Sequence, residues 1–73
     1  MDGYVEVDAR GLSCPEPVLL TADALKTHPG ANLRILASEA HVRGNVERLL
    51  RSRKVPFNTT EQGGEYEIVT ALS

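Results

Sequence analysis

Cys14 is the one cysteine of the sequence, and it stands in Cys14-Pro15-Glu16-Pro17, directly after a short loop. Proline suits the first position of a helix, because the N–H it lacks there has no intrahelical partner. The spacing therefore predicts that Cys14 caps a helix, with its sulfur beside the unpaired N–H groups of the first turn. A helix N-terminus stabilises negative charge. It favours thiolate over thiol, and the thiolate is the nucleophile. Two prolines also remove two N–H groups from that turn and leave Glu16 and Val18 as donors. Glu16 suits a helix start, yet its charge opposes the thiolate. The sequence leaves the balance of these effects open.

The neighbours of the cysteine have roles that follow from their chemistry. Asp8 is placed to accept hydrogen bonds from loop N–H groups and so to shape the loop. Arg10 reads either as a cation beside the sulfur or as a solvated loop arginine. Gly11 permits a backbone angle closed to other residues. Leu12 is either an exposed contact for a partner or a core residue. Pro15 and Pro17 fix φ and pre-order the helix start. The alternative for Cys14 is a buried structural thiol, since free cysteine is among the most buried residue types.

These residues need a scaffold, and the pattern supplies one. Tyr4 to Asp8 alternates apolar and polar residues, as a strand does. Val18, Leu19, Ala22 and Leu25 follow helical spacing, which predicts a helix over 15–27, stopped by His28-Pro29-Gly30. Leu33 to Ala37 is a second strand. Ser38 is the expected N-cap of a second helix. That helix carries an apolar stripe of Val42, Val46, Leu49 and Leu50, with Arg43, Glu47, Arg48 and Arg51 opposite. A third strand over 55–61 is expected at a sheet edge or beginning at Pro56. Gln62-Gly63-Gly64-Glu65 is a hairpin turn before a last strand over 66–72. The order β-α-β-α-β-β predicts an α/β (α+β two-layer) sandwich, a mixed four-stranded sheet with two helices packed on it. Chemistry in such sheets gathers beyond the carboxyl ends of the parallel strands, where Cys14 belongs.

The 73 residues are expected to form a single domain, 1–73. An apolar fraction of 41% and a charged fraction of 25% are ordinary for a soluble protein. A net charge of −2 does not favour nucleic acid or an anionic membrane. No apolar run reaches membrane-spanning length. Met1-Asp2-Gly3 carries no secretory pattern. A lone cysteine fits a reducing compartment, here the cytoplasm. His28 and His41 are isolated, and no metal spacing or cofactor motif is present. Arg43, Arg48, Arg51, Arg53 and Lys54 make a basic stretch, read as a solvated helix face or as a docking patch for an acidic partner. Tyr4, Phe57 and Tyr66 are expected in the core or the sheet.

Asp8-Ala9-Arg10-Gly11-Leu12-Ser13-Cys14-Pro15-Glu16-Pro17 resembles the signature of the TusA/SirA/YedF family of small sulfur-transfer proteins. Asn45-Val46-Glu47-Arg48-Leu49-Leu50 in the second helix is more similar to the YedF-like branch, which is linked to selenium metabolism. The resemblance implies a sulfur carrier in which Cys14 accepts sulfane sulfur as a persulfide and relays it. It implies Asp8, Arg10, Gly11, Pro15, Glu16 and Pro17 as supporting residues. It also implies two protein partners, a sulfur donor (cysteine desulfurase or rhodanese-like) and an acceptor. A non-enzymatic redox-sensing or protein-binding module using the same thiol is the alternative. RNA binding on the basic helix is a third reading, opposed by the net charge and by an aromatic content of 4%.

Overall fold

The computed structural model describes residues 4–12 and 16–71. In chain order these form β1 (Val5–Asp8), α1 (Glu16–Thr27), β2 (Leu33–Ala37), α2 (Ala40–Ser52), β3 (Phe57–Gln62) and β4 (Glu65–Thr70). The sheet order is β1-β2-β4-β3. β1 and β2 run parallel, with Val7 opposite Ile35, and β4 lies antiparallel to both β2 and β3. This is the expected mixed four-stranded sheet with two helices on it.

Alternation along the strands decides which face is covered. Val7, Leu33, Ile35 and Ile68 point to one side and form the core with Ala24, Val46 and Leu50 from the helices. The other face carries Glu6, Arg34 and Glu67. Arg34 bridges Glu6 on β1 at 3.2 Å and Glu67 on β4, so its pKa is raised by both carboxylates, Glu67 foremost. One buried face and one solvated face are what an antiparallel or mixed sheet of this size permits.

Four expectations are corrected by packing. First, α1 buries Pro17, Thr21 and Ala24, while Leu19 is exposed. These smaller residues let the helix sit close to the sheet, and the Thr21 hydroxyl donates to the Pro17 carbonyl at 2.8 Å. Val18, Ala22 and Leu25 are half-buried at the flank. Second, Glu47 belongs to the buried side of α2 with Val42, Val46 and Leu50, whereas Leu49 is only half-buried. Third, the N-cap of α2 is Glu39, with no side-chain cap bond. Ser38 is engaged elsewhere. Fourth, Tyr4 is exposed, in neither core nor strand.

The chain reversals have local causes. At the end of α2, the Lys54 N–H donates to the Arg51 carbonyl and the Val55 N–H to the Leu50 carbonyl. Lys54 takes φ +59° to make both bonds. That is the paired hydrogen-bond pattern of a Schellman ending, normally built on glycine. Val55 is thereby used to close α2 and pack on the core, so β3 starts only after Pro56, at the sheet edge. Gly63 and Gly64 both have positive φ, as a two-residue hairpin turn of the I′ type requires.

Candidate functional site

The parallel pair β1–β2 ends with its carboxyl termini side by side, and the loop after β1 grows from that edge. Ala9 continues the ladder, its N–H donating to the Leu36 carbonyl at 2.8 Å. The chain then turns over Ala9–Leu12, closed by the Leu12 N–H on the Ala9 carbonyl at 3.3 Å. Gly11, the third residue of the turn, has φ +78°. A positive φ at that position is what type II turns demand. The Gly11 N–H donates to the Ser38 hydroxyl oxygen at 3.2 Å. Ser38 thus ties the loop after β1 to the loop after β2, a long-range task that its position before a helix did not reveal.

Asp8 and Arg10 form the other half of this loop. The Asp8 carboxylate accepts from the Arg10 backbone N–H at 3.2 Å and from Arg10 Nε and Nη2, each at 2.9 Å. Arg10 Nη1 reaches Glu65 at 3.5 Å, across to β4. The side-chain hydrogen bonds from Arg10, with its backbone N–H and its charge, lower the Asp8 pKa from 3.8 to about 2. The guanidinium pKa is raised, by Asp8 first and by Glu65 second. Arg10 is therefore neither an unattached cation nor a freely solvated one. It is held between two carboxylates on the solvated side of the sheet.

Ser13, Cys14 and Pro15 lie outside the described residues, and so does the expected capping of α1 by Cys14. The described chain resumes at Glu16, exposed in the first turn of α1, and Pro17, buried beneath it. Leu12 is half-buried. Together with Glu16, Leu19, Leu20 and Asp23 it lines a shallow depression of about 360 Å³. Sequence reasoning missed the exposure of Leu19 and Leu20. The available signal was their adjacency: two neighbouring helical positions lie about 100° apart, so one narrow stripe cannot bury both.

The basic stretch divides in two. Arg43 lies over the Tyr66 ring at 5.1 Å and Arg51 over Phe57 at 5.4 Å. Between them Glu47 accepts from the Thr59 hydroxyl at 2.6 Å, with Arg43 at 3.6 Å and Arg51 at 4.0 Å. These two arginines are parts of the α2–hairpin contact. Arg48, Arg53 and Lys54 are exposed. His41, expected to have no partner, has its Nδ1 3.3 Å from Glu39. Among the described residues no group of three His, Cys, Asp or Glu side chains is placed to hold a metal. No described helix is long and apolar enough to cross a membrane.

Comparison with known proteins gives two findings. Residues 5–70 match the family described as sulfurtransferase TusA. The fold matches the crystal structure of a SirA-like protein from Desulfitobacterium hafniense with a TM-score of 0.85 at 21% identity, covering 92% of this chain and 95% of that one. No curated protein matches the sequence.

Proposed function

Because this chain belongs to the TusA family of sulfurtransferases, we propose that it carries sulfur on Cys14 and hands it from a donor protein to an acceptor protein. The observation that carries the reading is the family match over residues 5–70, a span that contains the one cysteine of the sequence. Local geometry supports it. A hydrogen-bonded turn, pinned to Ser38, precedes the cysteine, and α1 begins two residues after it. A nucleophile between a fixed turn and a helix start gains from the partial positive charge of that helix end.

The exchange needs no redox partner. The Cys14 thiolate attacks the outer sulfur of a donor persulfide. A new S–S bond forms at Cys14 while the donor's own S–S bond breaks, and the donor cysteine leaves as a thiolate. Delivery repeats the step with Cys14 as the leaving thiolate. Asp8, Arg10 and Gly11 shape the loop, and Pro15 and Pro17 limit the backbone at the start of the helix. Glu16, two residues after Cys14 in the sequence, carries a charge that opposes thiolate formation. The donor is of the cysteine desulfurase or rhodanese-like class, and the exchange takes place in the cytoplasm, where thiols stay reduced. The likeness of Asn45-Val46-Glu47-Arg48-Leu49-Leu50 to the YedF-like branch supports selenium as the other element that such a thiol can carry.

The test is loading. Incubated with a persulfide donor, the native protein should gain one sulfur in its intact mass, and Cys14→Ser should gain none while melting normally. Equal labelling of both proteins excludes the role. Reversible sulfenic acid or mixed-disulfide formation without sulfur uptake points to the redox-sensing module instead.

A further inference from the structure

We propose that the C-terminal end of α2 is a docking site in its own right, where Arg48, Arg53 and Lys54 hold an acidic segment of a partner protein. It lies at the opposite end of the molecule from the loop that leads to Cys14. The site is independent of the reading of Cys14 as the sulfur carrier.

Two observations converge on it. The first is unused charge. Arg48, Arg53 and Lys54 are exposed, and none of them has an ion pair among the described residues. Arg10, Arg34, Arg43 and Arg51, by contrast, each meet a carboxylate. Cations at a helix C-terminus commonly serve its unpaired carbonyls. Here those carbonyls are already taken. The Arg53 N–H donates to Leu49 and Leu50, the Lys54 N–H to Arg51, the Val55 N–H to Leu50 and the Ser52 hydroxyl to Leu49. The second observation is strain. Lys54 sits at φ +59°, where glycine would close the helix without steric cost. A residue held in a sparsely populated conformation points to function. What lysine adds over glycine at this position is a charged side chain.

Topology separates this end from the cysteine loop. α2 runs through Val55 and Pro56 into Phe57, which pairs with Thr70, and the Thr70 hydroxyl accepts from the Leu33 N–H at the start of β2. The end of α2 therefore lies at the amino-terminal end of the parallel pair β1–β2. The loop that leads to Cys14 leaves the carboxyl end of β1. The 13 residues of α2 span about 20 Å between the two ends. A segment seated on Arg53 and Lys54 leaves the cysteine loop uncovered.

Charge and size decide the occupant. Unpaired guanidinium groups match carboxylates and phosphates alike. The molecule measures only 28 × 22 × 17 Å. A nucleic acid laid across this end would run past it onto the open sheet face, where Glu6 and Glu67 outnumber Arg34. Single-stranded bases also need rings to stack on, and Phe57, at the start of β3, is covered by Arg51. A short run of Asp or Glu side chains meets the three cations without meeting those acids.

The experiment follows a fluorescein-labelled octaglutamate peptide by anisotropy at low salt. It is titrated with the native protein, with Lys54→Gly, and with a triple variant that adds Arg48→Gln and Arg53→Gln. Lys54→Gly should weaken binding about two- to fivefold, the worth of one exposed ion pair. It should also melt at or above the native temperature, so that lost binding is not lost fold. The triple variant should bind at least tenfold more weakly than the native protein. Added salt should release the peptide, and a single-stranded RNA octanucleotide should bind the native protein more weakly than the peptide does. Glutathione persulfide should load all three proteins at rates within twofold. A native protein that ignores the peptide, or either variant binding it as the native protein does, overturns the site. RNA that binds more tightly than the peptide overturns the acidic protein segment as its occupant. A variant that loses sulfur loading together with peptide binding overturns the separation of the two ends.

Discussion

Gly11→Ala should destabilise the protein by about 1 kcal/mol, through the backbone alone. Gly11 sits at φ +78°, and a Cβ built there meets nothing within 4 Å. Steric crowding of a partner is therefore no part of the cost. What remains is the left-handed backbone, worth roughly 1–2 kcal/mol for a residue with a Cβ. Restricting the unfolded chain returns about 0.4–1 kcal/mol of that. The same change at Gly44 has the opposite sign. Gly44 is inside α2, lacks a positive φ and also has open space around its Cβ position. Alanine there should stabilise by up to about 1 kcal/mol through helix propensity. With a urea slope near 1 kcal/mol per M for so small a protein, the Gly11→Ala midpoint should fall by about 1 M. The Gly44→Ala midpoint should rise by up to about the same amount. A Gly11→Ala midpoint that is unchanged or raised would refute the turn, and with it the claim that the loop before Cys14 has one fixed geometry.

Three further outcomes test the scaffold. Lys54→Gly should raise stability by about 1 kcal/mol in urea denaturation, because it relieves a left-handed non-glycine residue at the end of α2. Glu47→Ala should cost roughly 1–3 kcal/mol by the same assay, since it leaves the Thr59 hydroxyl and the Arg43 guanidinium without their acceptor. Arg43 Nε already lacks a partner among the described residues, so little else stands ready to replace the lost carboxylate. Asp8 gives a pH dependence. Its folded pKa of about 2 lies below the ordinary 3.8, so its stabilisation is complete above the unfolded value and is lost as pH falls through the folded one. The stability difference between the native protein and Asp8→Asn should be constant above about pH 4 and shrink between about pH 4 and pH 2. A difference flat across that window contradicts the Asp8–Arg10 pairing.

The fold was legible wherever a local signal coincided with a tertiary one. Leu33 to Ala37 alternates between core and solvated face and is bounded by turn residues, so β2 could be read with both its ends. Gly63-Gly64 marked the hairpin turn between β3 and β4. The misreadings share a cause, which is a partner distant in sequence. Glu47 looks like a surface residue until Thr59 arrives from β3. Ser38 looks like a cap until Gly11 comes within reach from the first loop. Thr70, on which the sequence reading was silent, is buried with its hydroxyl accepting the Leu33 N–H at 2.7 Å, again across a long sequence separation. The facing of α1 failed differently. Thr21, Ala24 and Pro17 carry little hydropathy, so a search for apolar spacing settled on Leu19. At the candidate site the sequence supplied the motif around Cys14, and the fold supplied the contacts of Asp8, Arg10 and Gly11. That Arg10 reaches Glu65 depends on β4 returning beside β2, which no local pattern encodes.

The account turns on Cys14 being accessible and substantially ionised near neutral pH. The most direct measurement is the rate of its alkylation by iodoacetamide in the native fold as a function of pH. We predict a single titration with a midpoint below the value near 8.5 of a free cysteine. A native thiol that the reagent does not reach, or that reacts only at more alkaline pH than free cysteine, contradicts the carrier role.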